Sequence, residues 1–437
     1  MHKTLCAPPR IAALIAILCL LAPILAQAQK QSRPRARGLG VPLDGTPGPF
    51  NAITDVPGVE VGVTTLISGQ GRLVVGKGPI RTGVTAILPR GQRSVEPVFA
   101  GRFSLNGNGE MTGSHWVDEA GLIEGPIFIT NTHSVGTVRD AAVLWMSRLP
   151  TAEPWVLPMV AETFDGGLND ALGLHIKKEH VFAALDGSRT GPVPEGNVGG
   201  GTGMVCFGFK GGTGTASRKL DAKFGGYTVG VLVQCNAGSR RELRVAGVPV
   251  GQEITDLRAC LAGEEKPSLP WLKNLPRCEQ HSRGPLPAKA TAVAPSPREE
   301  SPFDGQGSII VVVATDAPLV PHQLARVAKR ASLALGRMGG HGEDSSGDLF
   351  VAFSTARPGA PNDAGVAPMQ SVVGGSVNPL FYATVQATEE AILNAMVAAE
   401  TLTGADNVRI HALPHDRLRE ALKKYNRLVD PPSTPPR

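Results

Sequence analysis

The 437-residue chain is 42% hydrophobic but only 5% aromatic, and it carries 53 glycines and 37 prolines. That is too apolar for a disordered chain, long enough for one large domain or two to three ordinary ones, and suited to many tight turns. The net charge of +5 comes from scattered basic residues without aromatic interleaving, which argues against nucleic-acid binding.

Lys3 and Arg10 form a basic start, Ile11 to Leu25 is apolar but short for a bilayer, and Ala26-Gln27-Ala28 is a small-residue cleavage signal. The pattern predicts a signal peptide over residues 1–28 and a secreted or periplasmic protein with no membrane attachment once it is removed. The alternative is a retained anchor. Cleavage would remove Lys3 and Arg10 and no acid, so the charge falls from +5 to +3. Four cysteines remain. Cys260 and Cys278 border a loop-like stretch and can pair in an oxidising compartment, whereas Cys206 and Cys235 sit in apolar runs and read as buried thiols.

Residues 29–40 read as a loose leader. Short apolar runs then alternate with glycine-rich turns to about Val250, and Ile80–Leu88, Val156–Val160, Gly203–Phe209 and Tyr227–Gln234 are predicted strands. Thr137–Ser147 has helical spacing. Residues 263–306 are rich in proline, charge and small side chains, which predicts a flexible surface linker. Order resumes at Ser308. Ile309–Ala314 is a buried-strand signal, Leu319–Met338 a helix closed by Gly339-Gly340, Leu349–Phe353 a strand, and Thr384–Leu402 a second helix. The proline-rich tail, 431–437, is predicted to be disordered. Alternating strands and helices make the fold class α/β.

The common catalytic signatures are missing. The sequence has no G-x-S-x-G elbow, no S-x-x-K, no C-x-x-C and no H-E-x-x-H, so neither a metal nor a cofactor is expected. A Ser-His-Asp triad stays open, because its members need not be close in sequence. His341 reads as a solvated loop residue. The runs 199–203 and 211–215 match no phosphate loop and read as tight turns with close backbone packing.

One juxtaposition stands out. The linker ends in Asp304-Gly305-Gln306-Gly307, and a buried strand begins at once with Ser308. Cutting Gly307–Ser308 would give Ser308 a free α-amine, titrating near ~7.7–8.0, beside its own hydroxyl. That is the N-terminal nucleophile arrangement. An ordinary loop-to-strand junction would have the same spacing.

The chain from about residue 40 to 415 resembles the L-aminopeptidase/D-esterase and β-peptidyl aminopeptidase family. The matching stretches run in order: GNGEMTGSHWVDEAGLIEGPI (107–127), TNTHSVG (130–136), AETFDGGLND (161–170), GGGTGMVCFGFKGGTGTASR (199–218), YTVGVLVQCNAG (227–238), GSIIVVVATDAPLVPHQ (307–323) and SSGDLFVAFST (345–355). The resemblance implies a four-layer α-β-β-α sandwich, similar to N-terminal nucleophile hydrolases but differently connected. It implies self-cleavage into an α chain (29–307) and a β chain (308–437) of one catalytic domain, which stay associated and assemble into an oligomer of such pairs. Ser308 becomes the nucleophile, and Asn236 the oxyanion-hole donor. Ser346 and Asp348 become the pair beside the nucleophile, and Glu162 the acid that binds the substrate's free amino group. Substrates would be peptides, amides or esters with a free amino end, carrying L-, D- or β-residues. Phe164 stands where some members carry tyrosine, and Ala237 where an aromatic is common. The rival readings are an acyltransferase resembling ornithine acetyltransferases, which use threonine, and an uncleaved periplasmic binding protein.

Overall fold

The computed structural model describes residues 34–149, 155–281, 301–305, 307–359 and 362–431. The signal-peptide reading, the leader up to residue 33 and the tail beyond 431 fall outside these residues, as do 282–300 and 306 of the linker. No helix of the described residues is long and apolar enough to cross a membrane.

Fifteen strands are described: β1 (Glu60–Ser68), β2 (Ile80–Leu88), β3 (Val98–Gly107), β4 (Leu122–Ile123), β5 (Ile127–Asn131), β6 (Met159–Thr163), β7 (Val205–Cys206), β8 (Phe209–Lys210), β9 (Gly212–Lys219), β10 (Thr228–Asn236), β11 (Cys260–Leu261), β12 (Ser308–Thr315), β13 (Gly347–Ser354), β14 (Leu402–Thr403) and β15 (Val408–Ile410). The helices are α1 (Ser114–Ala120), α2 (Val135–Met146), α3 (Lys178–Asp186), α4 (Val250–Glu253), α5 (Pro321–Arg337), α6 (Asn378–Val397) and α7 (His415–Lys424). The fold is mixed α/β, with a four-stranded sheet β1-β2-β5-β6 and a six-stranded sheet β4-β3-β13-β12-β10-β9.

Strand β12 explains the packing. All eight of its residues are buried, because the IIVVVA run is apolar on both faces. Ile309, Val311 and Val313 meet Leu324, Val327 and Ala331 of α5 and Ala387 and Ala391 of α6. On the opposite face, Ile310, Val312 and Ala314 meet Ile87, Ile129 and Ala161 of the four-stranded sheet. That sheet's other face, with Val84, Ala86, Phe128 and Val160, packs on α2 and α3. Each such large aliphatic side chain removed from water contributes about 1.5–3 kcal/mol before entropy is counted. β12 lies between β13 and β10, with partners on both edges, so its first residue is held on both sides.

Several sequence expectations are adjusted by the structure. The predicted strand Gly203–Phe209 is a 3-10 turn at Gly199–Gly203 followed by a hairpin, β7–β8. Phe207 (φ +49°) and Gly208 (φ +66°) both adopt the left-handed conformation, which a two-residue hairpin turn uses. The run at 211–215, read as a turn, opens β9, and Gly214 within it admits the close approach of Ala391 and Ala395 of α6. Helix α6 begins six residues before the predicted Thr384, since burial on nearly all sides obscures its period. Cys206 and Cys235 are not thiols but a disulfide, as are Cys260 and Cys278. The former pair joins β7 to β10, which pack side by side. The first part of the predicted linker also packs. Pro270–Leu272 is a 3-10 turn, and Leu272 and Leu275 are buried against Leu168, Val205, Val408 and Ile410.

Candidate active site

Strand register assembles the site. Asn236, the last residue of β10, lies opposite Ser308, the first of β12, which in turn pairs with Gly347 of β13. Residues some forty to seventy positions apart therefore form one row at the end of the six-stranded sheet. A register irregularity between Asp348 and Leu349, against β3, falls beside this row. Such bulges re-aim side chains next to active sites.

Ser308 is 6% exposed, and its Oγ accepts a hydrogen bond from the Gly347 N–H at 3.0 Å. The Ser346 hydroxyl donates to Asp348 Oδ1 at 2.6 Å. Burial pushes the Asp348 carboxyl up to about 6, against the Ser346 hydroxyl and the Ile309 N–H, which favour its anion. Asp348 pairs with Ile309, one residue along the sheet from Ser308.

The Asn236 amide is oriented on both sides. Its Oδ1 accepts from the Val205 N–H at 2.8 Å, and its Nδ2 donates to the Phe164 carbonyl at 3.0 Å. These bonds fix which end of the amide faces the cavity and leave Nδ2 with a second hydrogen, as a carbonyl-polarising donor requires. Disulfide Cys206–Cys235 lies one residue from each partner and holds them together.

Glu162 comes from the other sheet, near the end of β6. Its Oε1 accepts from the Glu110 N–H at 3.0 Å, and its Oε2 from the Thr132 hydroxyl. Burial raises its pKa, and these two bonds partly oppose that. Asn131 shapes the turn that presents Thr132, because its Oδ1 caps the N–H groups of His133 and Ser134. A carboxylate so held has each oxygen oriented by a donor and keeps lone pairs for further hydrogen bonds. Phe164, two residues on, is 44% exposed and meets the His133 ring edge-on at 6.0 Å.

Ser308, Asn236, Glu162, Phe164 and Gly307 line one cavity of about 820 Å³. Ser346 and Asp348 sit behind Ser308 and do not line it. Sequence reasoning assigned no role to Glu110, Thr132, His133, Trp271 or Phe303, which also line it. The signal for the last two was present, since Trp271 and Phe303 are the only aromatic residues in the 263–306 segment. His341, read as a solvated loop residue, is exposed, lies 4.0 Å from Glu242 and is outside the cavity.

Gly307 has φ +124°, and a Cβ there would lie 1.8 Å from the Asn236 carbonyl oxygen. Only glycine fits between that carbonyl and the serine. Among the described residues one His/Cys/Asp/Glu cluster, Cys260, Cys278 and His411, has ligand atoms within 4.8 Å of one another, but its two sulfurs are bonded to each other.

A serine hydroxyl, an oriented amide donor and a buried carboxylate thus line one cavity. The chain matches the model of peptidase family S58 over residues 51–410 and belongs to that family. It is 53% identical to a β-peptidyl aminopeptidase of Sphingosinicella microcystinivorans, over 93% of this chain and 96% of that one. It is 46% identical to a β-peptidyl aminopeptidase of Sphingosinicella xenopeptidilytica, over 93% and 95%. Among solved structures it resembles the L-aminopeptidase D-Ala-esterase/amidase of Ochrobactrum anthropi, described as a prototype of the serine aminopeptidases and a variant of the Ntn hydrolase fold. That likeness has TM-score 0.75 at 42% identity and covers 91% of this chain and all of that one. A β-aminopeptidase of a Burkholderia species matches with TM-score 0.73 at 45% identity, over 89% and 98%. The protein is a serine aminopeptidase.

Proposed function

We propose that the chain cuts itself at Gly307–Ser308 and then removes N-terminal residues from peptides, amides or esters, with Ser308 as nucleophile. The observation that carries this reading is the row Asn236–Ser308–Gly347 at the head of a doubly buried strand, entered through a glycine pressed on the Asn236 carbonyl. In self-cleavage, Ser308 Oγ attacks the Gly307 carbonyl carbon, the C–N bond breaks, and its nitrogen takes the hydroxyl proton. Water hydrolyses the resulting ester, which leaves a Gly307 carboxylate and a free Ser308 amine and hydroxyl.

In turnover that amine takes the Oγ proton while Oγ attacks the substrate carbonyl, the leaving nitrogen or ester oxygen receives the proton, and water then hydrolyses the acyl-Ser308 ester, which releases the N-terminal residue as a carboxylate and restores the hydroxyl. Asn236 Nδ2 stabilises the oxyanion, Asp348 with Ser346 orients the Ser308 amine, and Glu162 pairs with the substrate ammonium. The relatives' names favour N-terminal β-amino acid residues as substrates. Phe164 has no hydroxyl, so the oxyanion depends on Asn236.

The three core clusters support a four-layer α-β-β-α arrangement, with α2 and α3 outside one sheet and α5 and α6 outside the other. The Ala26-Gln27-Ala28 signal and two disulfides support a secreted or periplasmic protein, with residues 1–28 removed. We assign 29–307 to the α chain and 308–437 to the β chain, associated as an oligomer of such pairs.

Ser308→Ala tests the nucleophile. The purified variant should stay one chain and hydrolyse no aminoacyl amide. A variant that splits, or that keeps wild-type hydrolysis, overturns the assignment.

A further inference from the structure

Part of the cavity wall comes from the segment just upstream of the proposed cut. Trp271, 38% exposed, and Phe303 meet edge-to-face with ring centroids 5.5 Å apart, and both line the cavity that holds Ser308. The Phe303 ring lies over Gly167, where a Cβ would come within 2.4 Å of it and 3.3 Å of Trp271. Gly167, which the pair covers, lies five positions after Glu162, and Glu162, Phe164 and Gly167 all line the same cavity. Exposed aromatic faces turned into a cavity beside a charge receptor form an apolar subsite with a polar anchor.

We infer that Trp271 and Phe303 form the subsite for an aliphatic or aromatic side chain of the substrate's N-terminal residue, and that the α chain's tail remains in place after cutting to supply it. A residue whose ammonium pairs with Glu162 sets its side chain against this wall. The tail has anchors that do not depend on the Gly307–Ser308 bond. Asp304 Oδ1 accepts the Arg240 N–H at 2.8 Å, the Gly305 carbonyl accepts the Ser345 hydroxyl at 3.2 Å, and Phe303 packs on Trp271. Arg240 is itself 2% exposed, its guanidinium held by the carbonyls of Phe207, Gly208, Ile254, Asp256 and Leu257. On the other side, Trp271 is fixed by its neighbour Leu272 in the core and by the Cys260–Cys278 disulfide that closes its loop.

The inference rests on the hydrolytic reading above, and one experiment separates the two. Hydrolysis of β-alanine amide and β-homoleucine amide is followed by ammonia release, per mole of split enzyme, for wild type, Trp271→Ala, Phe303→Ala and Phe303→Leu. These substrates differ only in an isobutyl group. The ratio of their kcat/KM values should fall about tenfold or more in both alanine variants, mainly through KM for β-homoleucine amide, and should largely recover in Phe303→Leu. An unchanged ratio in split, active alanine variants overturns the subsite and leaves the hydrolase standing. Loss of the Phe303 segment from the wild-type enzyme on cutting, seen by intact mass, overturns the retained wall. A wild-type enzyme that hydrolyses neither of these amides, nor L-leucine amide, refutes the proposed function, and the subsite with it.

Discussion

Replacing Gly307 by alanine isolates what seats the scissile bond. The new Cβ would lie 1.8 Å from the Asn236 carbonyl oxygen, and contacts under 3.0 Å are essentially never tolerated, so the chain must shift by at least 3.0 − 1.8 = 1.2 Å. A misplacement of about 1 Å costs on the order of 10²-fold in rate. The backbone at φ +124° adds about 1–3 kcal/mol of strain for any residue with a Cβ. Splitting of the purified precursor, timed by gel and intact mass, should therefore slow by about 10²-fold or more. Gly305→Ala is the control. Its φ of +68° is also left-handed, but the nearest atom to a new Cβ is Ser239 Oγ at 3.6 Å, so only about 1–2 kcal/mol of strain is expected. That variant should split within a few-fold of wild type. If Gly307→Ala splits as fast as Gly305→Ala, contact with the Asn236 carbonyl does not position the bond.

Two other substitutions report on parts of the site and a third on the buried Asp165 beside β6. Asn236→Ala removes the carbonyl donor, so kcat of the split enzyme should fall about 10²–10³-fold; a change confined to KM would reassign Asn236 to binding. Glu162→Gln should raise KM for free-amine amides by about tenfold or more, through loss of a charge-assisted pair. Equal losses on N-acetylated and free-amine substrates would contradict ammonium binding. Burial pushes Asp165 from its usual 3.8 up to about 7. A raised carboxyl stabilises the fold below pH 4, and that contribution is lost as pH rises to 7, by up to about 4 kcal/mol. Asp165→Asn, which can keep a carbonyl facing Asn169, should therefore gain stability over wild type at pH 8 and not at pH 4. Parallel urea-unfolding profiles across that range would refute the charge argument.

The local elements were legible wherever one physical signal dominated. Ile80–Leu88 matched β2, and the apolar run after Ser308 marked β12, because an unbroken β-branched stretch bounded by turn residues has few alternatives. The candidate residues were legible mainly through motif resemblance, since Asn236 and Ser346 alone look like turn residues. What the sequence obscured was long-range. Leu272 and Leu275 sit among prolines and charges, so no periodicity announces that they pack on Leu168, Val408 and Ile410. Two cysteines in apolar runs read as thiols until adjacent strands placed them within bonding distance.

By itself, then, the sequence determined the α/β class, the abrupt start of a buried strand at Ser308, and the glycine before it, because these depend on local composition and spacing. Only the tertiary structure decided that Asn236 pairs with Ser308 across two strands, and that Glu162 arrives from the opposite sheet. It also decided that Trp271 and Phe303 fold back over Gly167. Register, sheet packing and close backbone approach are properties of residues distant in the chain, and no local pattern encodes them.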